Sequence, residues 1–219
     1  VSYFVTGTDT NVGKTLVSCA LLYGFAMRGR RVAGFKPVAA GCDEDGYNDD
    51  AKTLRAASSM PVTYEQVNPY CLREAIAPHL AARQENVHIE LSHILAAYRE
   101  LEAQADVVIV EGVGGFRVPL NETQDSADLA RELGLPVIVV VSMRLGCLNH
   151  ALLTVEAIAE RGLKLAGWVA NCVDADMVML GENVAALQQR IAAPLLGAVP
   201  YIIKPDAQVV ARRLDLKQL

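Results

Sequence analysis

Two hydrophobic patterns alternate along the chain. Short apolar runs with little polar alternation recur at residues 2–6 (SYFVT), 31–38 (RVAGFKPV), 106–112 (DVVIVEG), 135–142 (LPVIVVVS), 163–173 (LKLAGWVANCV) and 194–201 (PLLGAVPY). Runs of this kind are the mark of strands buried on both faces. Between them lie segments with helical spacing at 14–29, 49–58, 90–105, 126–134, 149–162 and 179–192. The second of these opens on Asp49-Asp50, acids that favour the start of a helix dipole. The stretch 60–73 is broken by proline and Asn-Pro and has no clear period. Strand–helix alternation predicts a mostly parallel sheet with helices on both faces, a three-layer α/β/α architecture, over residues 1–219 as one domain. In such sheets chemistry sits at the C-terminal ends of the strands, so the residues directly after each run carry the functional information.

The first run is followed by GTDTNVGKT, Gly7 to Thr15. Glycine lets backbone amides turn toward phosphate oxygens, and the helix N-terminus adds partial positive charge. Lys14 reaches the outer phosphates, and the Thr15 hydroxyl is a Mg²⁺ ligand type. The spacing departs from G-x4-G-K-[ST]: five residues separate Gly7 from Gly13, and Thr8 stands where the usual first glycine would be. The strand before and the helix after still define a P-loop NTPase-like fold.

Other strand ends supply matching chemistry. Lys36 precedes Pro37 at the end of the second run, facing the same crevice as Lys14. Glu111 ends a buried run and is followed by Gly112, Gly114 and Gly115, a Walker-B-like acid with a backbone cradle. Asp49 and Asp50 lie at a loop-to-helix junction, where either acid can be an N-cap or a metal carboxylate. Thr15, Asp50 and Glu111 together are enough hard oxygen for one Mg²⁺, which keeps waters and binds substrate phosphates.

Composition narrows the class. A hydrophobic share of 52% supports a large core, and a net charge of −5 argues against a nucleic-acid or membrane-surface binder. The run 1–5 has no basic leader or cleavage site and does not read as a signal peptide, and no run is long enough to span a membrane. The five cysteines, scattered and without CxxC spacing, read as reduced thiols of a cytoplasmic protein. The four histidines lack ligand spacing.

With these motifs assembled, the chain resembles the ATP-dependent dethiobiotin synthase family. The resemblance is carried in order by TGTDTNVGKT, GFKPVAAG, NDDA, NPY, APH, VEGVGG, LPVIVVV, LGCLNHALLT and GWVAN, from Val5 to about Tyr201. In that family the five-residue P-loop gap is normal. The resemblance implies an ATP- and Mg²⁺-dependent ligase that closes a ureido ring on 7,8-diaminopelargonic acid with CO2 or bicarbonate, one step before biotin. One amine becomes a carbamate, which attacks the γ-phosphate to give a carbamic–phosphoric anhydride, and the second amine closes the ring. It implies catalytic roles for Lys14 and Lys36, and nucleotide contacts from Asn11, Val12, Gly13, Lys14, Thr15, Leu16, Asp50, Glu111, Gly112, Val113, Gly114, Asn171, Pro200, Tyr201 and Ile202. Substrate contacts would come from Thr10, Lys36, Ala40, Gly115 and Asn149. Asn149 would act across a homodimer interface, although its place also suits an N-cap for the helix that follows. Ala40 stands where the family often has a hydroxyl, Cys172 where an acid is common, and the tail after Ile203 has no clear counterpart.

Other P-loop classes fit less well. Partitioning-type ATP switches often carry a K-G-G-x-G-K lysine, and Asp9 occupies its place. Cobyrinic-type amide synthases add a glutaminase domain that 219 residues cannot hold, and a metabolite kinase wants an arginine-rich lid.

Overall fold

The computed structural model describes residues 1–219. The chain runs β1 (Tyr3–Gly7), α1 (Lys14–Ala26), β2 (Val32–Phe35), β3 (Val38–Ala40), α2 (Asp49–Ala57), α3 (Tyr64–Val67), β4 (Tyr70–Leu72), α4 (Pro78–Gln84) and α5 (Leu91–Glu102). It continues through β5 (Val107–Glu111), α6 (Ser126–Leu133), β6 (Val137–Met143), α7 (Cys147–Glu160), β7 (Leu165–Cys172), α8 (Leu180–Arg190), β8 (Leu195–Val199) and α9 (Ala207–Ala211), and closes on a 3₁₀ turn, Leu216–Gln218.

Six strands form one parallel sheet in the order β2-β5-β1-β6-β7-β8. Every residue of β1, β2, β5 and β6 is buried, as expected when helices cover both faces. From β1 the chain builds outward on one side through β5 and β2, and on the other through β6, β7 and β8. The P-loop follows β1, where the direction of building reverses, which is where such sheets bind ligands. Register puts Val5 beside Glu111, Gly7 beside Val140, and Asn171 beside both Ser142 and Val199. The strand ends that carry the motifs are therefore brought to one edge.

The second apolar run is not one strand. β2 stops at Phe35, and β3 pairs instead with β4 in a separate two-stranded parallel sheet. Pro37 has no N–H for the ladder and restricts Lys36 before it, so the strand breaks there. The Lys36 N–H turns away to the Val67 carbonyl at 2.7 Å. The stretch that had no clear period holds α3, opened by a capping box of Thr63 and Gln66, and then β4. Helix α4 starts on Pro78 at its first turn, a placement favourable for proline that apolar spacing did not mark. The tail packs on α1: Leu216 presses on Gly24, Arg28 donates to the Leu216 carbonyl at 2.8 Å, and the Tyr3 hydroxyl donates to the Leu219 carbonyl at 3.0 Å.

Helix α6 shows how a polar cluster fixes one connection. The Asp125 carboxylate accepts from the Ala127 and Asp128 amides, and the Asp128 carboxylate accepts from the Asp125 amide in return. Arg117 pairs with Asp125, and Arg161 at the end of α7 pairs with Asp128. Burial works against the Asp128 charge, but the Asp125 amide and Arg161 outweigh it and hold its carboxyl below the usual carboxylate range. Asp125→Ala removes the cap acceptor and is expected to lower unfolding free energy by about 1–2 kcal/mol. Urea unfolding should show a lower midpoint at unchanged slope, and an unshifted midpoint would show that the cap carries no stability.

Candidate active site

The loop from Thr8 to Gly13 is shaped by contacts beneath it. A Cβ added at Gly7 would lie 2.5 Å from Val12 Cγ2, so glycine there lets the buried Val12 side chain fold under the loop. Asn11 and Gly13 both take left-handed φ, 59° and 91°. Gly13 caps α1 without any side-chain bond, and the amides of Asn11 through Leu16 have no partner within the chain. A row of free amides at a helix N-terminus is an anion site. Lys14 lies across it, 7% exposed, its Nζ donating only to the Asp9 carbonyl at 3.1 Å. Burial, and then the charge of Lys36, push the Lys14 amine down to about 8.

The acids gather around the second lysine. Lys36 Nζ lies 2.6 Å from Glu111 Oε1, 3.3 Å from Asp50 Oδ2 and 3.2 Å from the Gly112 carbonyl. Glu111 has no exposed surface and Lys36 almost none, whereas the Asp50 side chain is about half exposed. Burial alone would push the Lys36 amine down, but Glu111 and Asp50 outweigh it, and the amine is held above its ordinary value. Burial likewise works against the charge on Asp50, and the Lys36 ammonium holds its carboxyl below the usual range. The Thr15 hydroxyl donates to Glu111 Oε1 at 3.0 Å, and Glu111 Oε2 is buried with no partner. Thr15, Asp50 and Glu111 thus converge with an unspent carboxylate oxygen, a donor set suited to Mg²⁺ in the company of phosphate and water.

Other predicted residues fall into two groups around this centre. Gly114, at φ 61°, lies against Thr10, and Gly115 lies against the Gly7 and Thr8 carbonyls, so the glycine cradle after β5 touches the P-loop. Val113 is partly buried beside them, and Ala40 is half-buried at the end of β3. Asn11, Gly13, Leu16, Asn171, Pro200, Tyr201 and Ile202 line one cleft of about 170 Å³ beyond α1's first turn. Asn149 does not join either group: it stands exposed in the first turn of α7. It is not the helix cap either, since Gly146 holds that position. Neither Asp49 nor Asp50 caps α2. Asn48 does, accepting from the Asp50 and Ala51 amides, which leaves the Asp50 carboxylate free for Lys36.

Four supporting residues had no assigned role in the sequence expectations. Asn48 also donates to the Gly41 carbonyl at 2.7 Å, tying the loop after β3 to the helix that bears Asp50. Asn68 donates to the Lys36 carbonyl at 2.6 Å, and the Tyr64 hydroxyl binds both Asn48 and Asn68. Arg144, directly after β6, pairs with Asp9 of the P-loop at 2.7 Å. The signals were present: an Asn before two acids at a helix start, an Asn before Pro69, and an arginine at a strand end.

A parallel sheet whose first strand feeds a phosphate loop, with a carboxylate ending the adjacent strand, defines a P-loop NTPase. Solved structures agree on the fold: the MinC:MinD cell division complex of Aquifex aeolicus (TM-score 0.56, 13% identity, 93% of this chain and 82% of that one) and the MinD protein with Mg-ADP from Pyrococcus horikoshii (TM-score 0.54, 15% identity, 99% and 87%). The family model described as an AAA domain matches residues 1–209. Curated relatives include the ATP-dependent dethiobiotin synthetase BioD of Aromatoleum aromaticum, 57% identical over 98% of this chain and 97% of that protein. That of Nitrosospira multiformis is 53% identical over 99% and 96%. The chain belongs to the ATP-dependent dethiobiotin synthetase family, the cyclo-ligases of biotin biosynthesis.

The two lysines differ in what they hold together. Lys36→Met leaves Glu111 buried and uncompensated, and is expected to lower unfolding free energy by about 3–5 kcal/mol. Lys14→Met removes a charge already disfavoured where it sits and should leave stability unchanged or raised. Equal losses in urea unfolding of the two variants would refute this division.

Proposed function

We propose that the chain converts 7,8-diaminopelargonic acid, CO2 and ATP to dethiobiotin, ADP and phosphate through a carbamic–phosphoric anhydride, with all 219 residues acting as one domain. The observation that carries the reading is Lys36, held by Glu111 and Asp50 at the same edge as the anion loop and Lys14. A carbamate and a triphosphate repel each other, and two cations between them permit approach and offset charge on the transferring phosphoryl group. Free amides from Asn11 to Leu16 seat the phosphates. Thr10, Ala40 and the Gly114–Gly115 cradle receive the diamine end. No side-chain nucleophile is needed, because the carbamate oxygen itself attacks. The second amine then displaces phosphate from the anhydride carbon.

Thr15, Asp50 and Glu111 would hold Mg²⁺, which supplies charge neutralisation at the phosphate oxygens. The cleft formed by Asn171 and residues 200–202 takes the adenine. Leu145 and Leu153 stand exposed on and beside α7, flanking Asn149, and a second copy of the chain covers them in a homodimer that brings Asn149 of one subunit to the substrate of the other. No helix is long and apolar enough to cross a membrane, and we assign the enzyme to the cytoplasm with no nucleic-acid or membrane partner.

The direct test is ADP release with ATP, Mg²⁺ and bicarbonate, with and without the diamine, and the organic product weighed by mass spectrometry. Diamine-dependent release with dethiobiotin formed is expected, and slow hydrolysis indifferent to the diamine would overturn the proposal. A second test uses Lys14. With its amine near 8 in the free site, a bound polyphosphate raises that value, so binding takes up a proton. Affinity is then full below about pH 8 and falls as pH rises above it, by at most about tenfold per unit. Calorimetry at about pH 8.5 in two buffers of different ionisation heat should show net proton uptake. Zero uptake would place Lys14 away from the phosphates.

A further inference from the structure

Asn171 has a bond that base recognition does not require. It lies in β7, 5% exposed, with its backbone fixed on both sides by β6 and β8. Its side-chain Nδ2 donates to the Val12 carbonyl at 2.8 Å, a buried contact across 159 residues of chain. The approach is close: a Cβ added at Gly13 would lie 2.2 Å from that same nitrogen. No other side chain bonds residues 11–13 of the loop, and α1 has no side-chain cap. Only an amide nitrogen can donate to a carbonyl, so the side chain's orientation follows from its partner.

The peptide joining Val12 to Gly13 is planar, with its carbonyl and N–H pointing in opposite directions. Holding the Val12 oxygen toward Asn171 therefore aims the Gly13 N–H away from it, among the other free amides. Val12 is pinned below by its buried side chain under Gly7. This peptide turns over about ψ of Val12 and φ of Gly13, and Gly13, already left-handed at φ 91°, does so at little cost. A turned peptide would present a carbonyl oxygen to an incoming anion. The bond from Asn171 opposes that state.

We propose that Asn171 is a positioning residue for the phosphate loop, so that affinity for the phosphate chain depends on it even where no base is present. This rests on the reading that the loop seats a triphosphate. It also joins the two halves of the nucleotide site. The Asn171 Oδ1 makes no hydrogen bond within the chain and belongs to the cleft lined by Tyr201 and Ile202, while its Nδ2 sets the loop. A base in the cleft and phosphates on the loop then act on one side chain, and each favours the arrangement the other needs.

The experiment compares the full chain with Asn171→Ala and Asn171→Asp, the second keeping the shape but losing the donor. Binding of ATP and of inorganic tripolyphosphate, each with Mg²⁺, is measured by calorimetry. Protection of the Val17 amide, bonded to the Gly13 carbonyl at 3.1 Å, is measured by hydrogen exchange in the free protein against amides of the central strands. Both variants are expected to weaken tripolyphosphate as well as ATP by about tenfold, the scale of one buried hydrogen bond. Both should also lose Val17 protection while the strands keep theirs. Loss of ATP affinity alone, with tripolyphosphate binding and Val17 protection as in the parent, would make Asn171 a reader of the base only and overturn the proposal. If the parent chain binds neither ligand, the nucleotide reading fails, and the Val17 contrast still decides the clamp.

Discussion

A carboxylate with no access to water ends the strand next to the centre of the sheet, and the neighbourhood of the site is arranged around it. Removing Glu111 from solvent is tolerable only with a cation in contact, and Lys36 supplies it at 2.6 Å. That contact requires β2 to end beside β5 in parallel register, so that Phe35 and Val110 pair and Lys36 follows directly. It requires Pro37 to turn the chain out of the sheet. It requires Asn68 to hold the Lys36 carbonyl and Asn48, rather than an acid, to cap α2. The small sheet of β3 and β4 packs Val38 and Leu72 into the core, and Asn68 ties its Tyr70 carbonyl to that of Lys36.

Much of this was legible in the sequence, and the reasons are physical. Buried parallel strands are continuous apolar runs, and their ends are where function collects, so the runs located Lys14, Lys36 and Glu111 without knowledge of the fold. The P-loop was readable because glycine, lysine and threonine at that spacing have few other uses between a strand and a helix. The end of the second strand at Lys36-Pro37 was legible from the proline; that the chain resumes as β3 in a second sheet was not, because its partner β4 lies in the stretch without a clear period. Asn48, Asn68 and Tyr64 could not be found by period. Their value lies in hydrogen bonds to atoms 7 to 32 residues away; Asn48 and Asn68 left a local hint in the acids and the proline that follow them, and Tyr64 left none. Asn149 shows the opposite failure: its residue type and position suited a cap, and Gly146 had already taken that role.

The overall likeness to MinD proteins and the close kinship to dethiobiotin synthetases sit on different features. The fold is shared with the former at 13–15% identity, and nothing beyond fold follows from that likeness. At the loop residue where the partitioning-type proteins often place a lysine, this chain has Asp9, paired with Arg144 at the end of β6 and bonded to the Thr10 amide. An acid at that point would repel a phosphate if left free. Paired with arginine it becomes a local brace, and the unspent positive charge at this edge of the sheet is that of Lys14.

The two lysines of the site, Lys36 and Lys14, occupy opposite energetic states: one is held by its partners and the other is not. Lys36 is charged because the fold needs it charged: its partners are in place before any ligand arrives, and its protonation is favoured above the ordinary value. Lys14 is charged against the preference of its surroundings, desolvated and repelled by Lys36, with a single carbonyl as its partner. On the proposed reading, a phosphate seated on the loop would relieve that strain as well as making new contacts. Had both lysines been paired with acids, the site would be stable and indifferent to phosphate. Had neither been paired, Glu111 could not be buried at the strand end where its second oxygen is free for a metal.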